Sequence, residues 1–181
     1  MITPVNNKLV VEVNYSQKEK VSLSDNEFLL AKNYSTNRRE SNPVLCKVIN
    51  GNGHIKEGTF LLVHHNLFVE NSPHYLGENK YSLAYNSSIF ARLDSEGNAH
   101  SLCNNIIVDY VYPDSKIPLP AHLNKPDKYK YKVLSNGFGF KKGQIIFAYD
   151  FADYEIIYVW EGQEKRVVKV AKSDIFGKIL N

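Results

Sequence analysis

The chain has 181 residues, a formal net charge of +3 and an ordinary apolar fraction, with 12 Tyr and 9 Phe but one Met and one Trp. A charge this small does not argue for a nucleic-acid binder, which usually shows a strong basic patch, and the length allows one large domain or two small ones. No run nears the roughly 18 consecutive apolar residues of a membrane span, and the first residues lack the charged and apolar regions of a signal peptide, so a cytoplasmic protein with no nucleic-acid and no membrane partner is expected.

Taken in chain order, short apolar alternations closed by Gly, Asn, Asp or Pro recur, and aromatic and β-branched residues suit strands. Leu9, Val11 and Val13 predict the first strand. A polar stretch from Asn14 to Pro43 follows, read as one long loop around an apolar island at Phe28, Leu29 and Leu30. Val44, Cys46 and Val48 alternate again, and Thr59 to Val63 is a continuous apolar run expected to be buried on both faces. Tyr81 to Tyr85 and Ile89-Phe90 end the first half. Ile106, Val108 and Tyr110 open the second. A Pro-containing stretch holds Ile117, Pro118 and Leu119, and strands are then expected at Tyr129 to Leu134, Gln144 to Tyr149, Glu155 to Trp160 and Arg166 to Val170. Many short strands at this spacing predict an all-β fold.

Three ordered segments match between the halves. Asn7 to Glu12 resembles Asn104 to Asp109, at an offset of 97 residues. Ile49 to Gly58 resembles Leu134 to Gly143, at an offset of 85. Asn86 to Leu93 resembles Lys172 to Ile179, at an offset of 86. The change after the first segment places a deletion in the polar connection of the second half, where a length change is tolerated. Two domains follow, residues 1–95 and 96–181, joined at the polar turn Asp94 to Asn98.

Each half has a lead-in to a strand, a polar loop, a strand ending near Asn-Gly, an apolar-Lys-x-Gly turn before a buried strand, and a closing Ser-Ser-Ile-Phe or Ser-Asp-Ile-Phe. This order resembles the GroES family of co-chaperonins, and the resemblance implies two tandem GroES-like β-barrels. In that family the polar loop after the first strand carries an apolar tripeptide that docks on a chaperonin ring. The resemblance therefore implies Phe28, Leu29 and Leu30, and Ile117, Pro118 and Leu119, as chaperonin-binding residues. Here Asn26-Glu27 and Ser115-Lys116 stand where the family has Gly-Gly, and neither half has room for the family's roof hairpin. The family's pairing of first and last strands between neighbours implies a homo-oligomeric ring, of six or eight barrels because each chain supplies two. Ser87 and Ser173 are expected to cap short turns before the closing strands.

Other chemistry is not expected. Cys46 and Cys103 lie in or beside apolar runs, outside any CxxC motif, and read as small buried thiols. His64 and His65 are adjacent on a strand and face opposite ways, while His54 and His74 have no ligand spacing, so neither a metal nor a cofactor is expected. No nucleophile-elbow, Walker or dinucleotide-binding pattern occurs, and the chain is read as a non-enzyme. The alternative to a co-chaperonin is a structural or scaffold protein that keeps the barrel without the docking function, with loops packed on the barrels.

Overall fold

The computed structural model describes residues 8–13, 20–23, 26–29, 40–41, 44–64, 75–113, 125–150 and 152–179. The strands of the first half are β1 (Lys8–Val13), β2 (Lys20–Leu23), β3 (Asn26–Leu29), β4 (Glu40–Ser41), β5 (Val44–Asn50), β6 (Phe60–Val63), β7 (Tyr75–Gly77), β8 (Lys80–Ala84) and β9 (Ile89–Leu93). Those of the second are β10 (Ala99–Ser101), β11 (Asn105–Tyr110), β12 (Lys130–Val133), β13 (Ile145–Ala148), β14 (Asp153–Trp160), β15 (Gln163–Ala171) and β16 (Ile175–Lys178). Helix is confined, among the described residues, to one 3-10 turn at Lys172–Asp174.

One sheet runs β10-β9-β6-β5-β1-β8-β7 and the other β16-β13-β12-β11-β15-β14-β4. Without the outermost β10 and β4 the two orders coincide strand for strand. The registers coincide as well. Val11 on β1 pairs with Val48 and Tyr81, and Val108 on β11 pairs with Val133 and Val168. The pairing of β6 with β9 shifts between Leu62 and Val63, and that of β13 with β16 shifts between Phe147 and Ala148, the same point at the 85-residue offset. Gly58 N–H donates to the Val48 carbonyl at 2.8 Å, and Gly143 N–H to the Val133 carbonyl at 2.8 Å. Both glycines have positive φ, +82° and +86°, which explains why the Lys-x-Gly turn recurs in the sequence.

Alternation sets the cores. Leu9, Val11, Val48, Leu61 and Tyr81 fill the first sheet's interior, and Ile106, Val108, Val133, Ile146 and Val168 the second's. The residues between them on the continuous apolar strands point the other way and meet each other. Leu62, Phe90 and Leu93 of the first sheet pack with Ile107, Ile156 and Tyr158 of the second in a shared core. The expectation that Thr59 to Val63 is buried on both faces holds for Leu61 to Val63, while Thr59 and Phe60 are half-buried, and it has a physical cause. One face lines the sheet's own interior and the other is covered by the second sheet.

One expectation stands in its coarser form, and two need correcting. The pairing establishes an all-β chain of two mainly antiparallel sheets, but neither sheet closes on itself among the described residues, and closed barrels are not found. The stretch read as one polar loop contains the hairpin β2–β3 and the short β4. Its Lys-Val-Ser-Leu segment is a period-two strand pattern that low overall apolarity obscured. The serine caps are also different. At the end of the first half the Asn86 side-chain carbonyl, not Ser87, accepts the Ser88 N–H at 2.9 Å, the usual Asn turn. In the second half the cap position is Ala171, and Ser173 sits inside the turn with its hydroxyl bonded to Asp174.

Candidate functional site: the two long connections and the junction between the sheets

The two connections singled out by the sequence leave the fold at equivalent places, from β1 to β5 and from β11 to β12, between antiparallel neighbours in matching positions of the two sheets. In the first connection Phe28 and Leu29 lie on β3, where the backbone pairs Phe28 with Val21 and Leu29 with Lys20. Leu30 lies outside the described residues, as do Ile117, Pro118 and Leu119. Further along, β4 pairs in parallel with β14, Glu40 against Glu155 and Ser41 against Ile156. The first connection therefore crosses to the edge of the second sheet before entering β5.

The base of the second connection is drawn together. Asp127 N–H donates to the Val111 carbonyl at 2.7 Å, and Lys130 pairs with Asp127 at 3.3 Å. Just inside it, the Tyr110 hydroxyl donates to the Asp153 carboxylate at 2.8 Å. Burial first, and then that carboxylate, push the phenol far above its ordinary range, so it serves as a neutral donor.

The junction between the sheets is built on the turn that the sequence marked as a boundary. The Asp94 carboxylate accepts from the backbone N–H groups of Glu96 and Asn98 at 3.0 and 2.8 Å and pairs with His100 Nε2 at 2.9 Å. The bond from His100 is the main reason its carboxyl titrates far below the usual range, with the Asn98 and Glu96 bonds adding to it. The second sheet grips the same turn. Tyr158 O–H donates to the Gly97 carbonyl at 2.9 Å, and Lys165 Nζ donates to the Glu96 carbonyl. Gly97 has φ +72° and packs closely against the Trp160 ring, which also meets Phe60 edge-to-face at 5.0 Å. A cleft of about 710 Å³ opens beside it, lined by Phe60, Arg92, Asp94, His100 and Trp160 among others. These bonds occupy Asp94 and His100 with holding the turn.

Deeper in the junction, Asn105 Nδ2 donates to the carbonyls of Ser87 and Ile89 at 3.1 and 3.0 Å. Lys169 Nζ lies 4.8 Å from the centre of the Phe90 ring and 5.0 Å from that of Tyr154. Burial lowers its pKa, and the two ring faces offset part of the cost of keeping the cation there. Sequence reasoning missed both residues. Lys169 alternates with Val168 and Val170, which marks it correctly as pointing away from its own sheet's interior. Nothing local shows that another sheet covers that side.

Of the histidines considered as ligands, His54 stacks on Tyr85 at 5.0 Å and His64 meets Phe90 edge-on at 5.7 Å, while His65 and His74 lie outside the described residues. No group of three metal-binding side chains converges among the described residues. Likewise, no helix among them is long and apolar enough to cross a membrane. Comparison with protein-family models, with curated proteins and with solved structures found no match.

Proposed function

We propose that the chain is a GroES-type co-chaperonin of two repeats, each a barrel of that family's kind, that works in the cytoplasm and caps an ATP-driven chaperonin ring. In this reading it performs no bond chemistry and needs no cofactor. Docking runs through the apolar segments Phe28-Leu29-Leu30 and Ile117-Pro118-Leu119. The observation that supports it is the equivalence of the two connections. A binding element repeated at the same strand junction of two like sheets presents two copies of one contact in a fixed relation, and linked weak contacts multiply into firm attachment.

A second reading, a structural or scaffold protein without the docking function, is favoured by one specific observation. Pairing of β4 with β14 fastens the first connection to the body of the molecule, whereas a docking loop gains from freedom.

The test is inhibition of a GroEL-type chaperonin's ATPase by the full chain, alongside a pull-down with ATP. Wild type is expected to bind and inhibit. A variant carrying Leu29→Ser and Leu30→Ser is expected to lose both effects while its far-ultraviolet spectrum is unchanged, since each Leu buried in a groove contributes about 1.5–3 kcal/mol before ordering costs. A wild-type chain that ignores the chaperonin refutes the co-chaperonin reading and leaves the scaffold. A double variant that unfolds assigns those residues to the fold.

A further inference from the structure

The repeat allows the outer faces of the two sheets to be compared position by position. In the first sheet Leu45 stands across from Leu62 and Lys47 across from Phe60. At the 85-residue offset the second sheet has Lys130 across from Phe147 and Lys132 across from Ile145. Phe90 on β9 corresponds to Phe176 on β16, at an offset of 86. Leu45, Leu62 and Phe90 belong to the core shared between the sheets. Their counterparts Lys130, Phe147 and Phe176 lie outside the cores, and Phe176 is 54% exposed where Phe90 is 3%. Lys130 in place of a leucine suits contact with water. The rings do not follow suit. Phe176 lies 6.3 Å from the Phe147 ring and 5.0 Å from that of Tyr149, which is 60% exposed. Contact with water alone does not account for three contiguous rings.

The same strands are basic. Residues Lys128 to Ala148 include five lysines and five aromatic residues but no Asp or Glu. Lys130 and Lys132 alternate with the buried Tyr131 and Val133, so they share the outer face with Phe147. Lys128 and Lys130 have carboxylate partners, Asp150 at 3.1 Å and Asp127 at 3.3 Å. Lys132, Lys141 and Lys142 have none among the described residues. Asp109, across from Lys132 on β11, accepts the Tyr110 N–H at 2.8 Å. Leu134, at the end of β12, borders a cleft of about 450 Å³ whose lining includes Lys142, Lys165 and Arg166. Asp94 also lines it but is paired with His100, and Arg166 is paired with Glu155. The whole-chain charge of +3 is an average that hides this local face.

We infer that the outer face of β12, β13 and β16 binds single-stranded nucleic acid, with bases stacked on Phe176 and Tyr149 and phosphates following the lysines of β12 toward the cleft. Exposed rings offer a stacking surface to any unpaired base, and lysines beside them meet the phosphates. A purely apolar partner would match the rings and leave the lysines unused, and a purely acidic one would do the reverse. Nucleic acid carries flat apolar groups and regular negative charge on one chain. A duplex does not fit, because its base faces are already stacked on each other. The inference does not rest on the chaperonin reading, and a chain that ignores chaperonin leaves it standing.

Fluorescence anisotropy of a labelled oligothymidine of about 12 nucleotides, titrated with the full chain at low salt, tests it. An oligouridine of the same length tells DNA from RNA. Saturable binding of at least one is expected, with a slope of log affinity on log salt of about −2 to −3, as for three or four phosphates. Phe176→Ala is expected to weaken binding about tenfold with circular dichroism unchanged. Tyr149→Ala, more exposed still, serves if that variant fails to fold. Lys132→Gln is expected to flatten the salt slope by about 0.7. The same strand annealed into a duplex is expected to bind more weakly. No saturable binding of either oligonucleotide, or a duplex bound as tightly as the single strand, overturns the inference. So do folded ring variants that bind as wild type does. Competition by oligoglutamate or by anionic vesicles that matches competition by unlabelled oligonucleotide also overturns it, and assigns the face to an acidic peptide or to a lipid surface.

Discussion

Gly97→Ala is the substitution whose cost the junction geometry determines most directly. A Cβ at position 97 would lie 2.2 Å from Trp160 Cγ, 2.4 Å from Cδ1 and 2.6 Å from Cδ2. The obstacle is the ring's rigid five-membered portion, and the ring is held in turn by Phe60. Two costs combine. Placing an L residue at φ +72° costs about 1–2 kcal/mol, and forcing an extra carbon into a filled contact adds about 1–3 kcal/mol, so about 2–5 kcal/mol is expected. Gly139→Ala separates the two. Its φ is +90° but nothing lies within 4 Å of the added carbon, so it bears only the backbone cost. Urea unfolding followed by fluorescence is the assay, and Trp160 is the chain's one tryptophan, so the signal comes from the junction itself. The expected result is a midpoint for Gly97→Ala well below that of Gly139→Ala, with a shifted native emission only in the former. Equal losses in the two variants, within about 0.5 kcal/mol, would refute the packing of Gly97 on the indole.

Asp94 makes a pH-dependent contribution. Its carboxyl titrates below the ordinary value of 3.8 in the folded chain, so its stabilising effect is complete above the unfolded value and is lost as pH falls toward the folded one. Urea midpoints of wild type and Asp94→Asn are expected to differ by a constant amount above about pH 5 and to converge in more acid solution; the carboxylate is over a third exposed, so the gap is small. Lys169 runs the other way. With its pKa lowered from 10.5 by burial, the unfolded chain holds the proton more tightly, so stability gains as pH rises through the folded value. The difference between wild type and Lys169→Met, measured by thermal unfolding, is expected to shift in favour of wild type as pH rises toward 10.5, and a pH-independent difference would contradict the burial of the ammonium.

Which parts of this were legible in the sequence follows from where the determining contacts lie. The Lys-x-Gly turn recurs because Gly58 and Gly143 both need positive φ, a requirement met within a few residues of chain and therefore written there. The alternation at Leu9 and Ile106 records which side of a strand faces its own sheet. What covers the opposite side is decided by residues far away, and so Phe90 and Phe176 read identically although one is buried and the other is not. The same limit hid Lys169 and Asn105, which look like solvent-facing polar positions until the second sheet is laid over the first. At Phe28 to Leu30, β3 was hidden by its polar neighbours, whereas the apolar island itself was plain.

The central place of β1 has a kinetic side. Its backbone is satisfied by β5 and β8, with Lys8 opposite Ala84, so during synthesis β1 waits for a partner 76 residues behind it. At about 5–20 residues per second that wait lasts roughly 4–15 s. Throughout it, Leu9, Val10 and Val11 have no complete sheet to enter. The second half repeats the problem, with Asn105 opposite Ala171. Such long-range pairing slows folding and prolongs exposure of sticky strand edges on the nascent chain, so this protein is itself expected to depend on ribosome pacing and on holding factors before its sheets can close around β1 and β11.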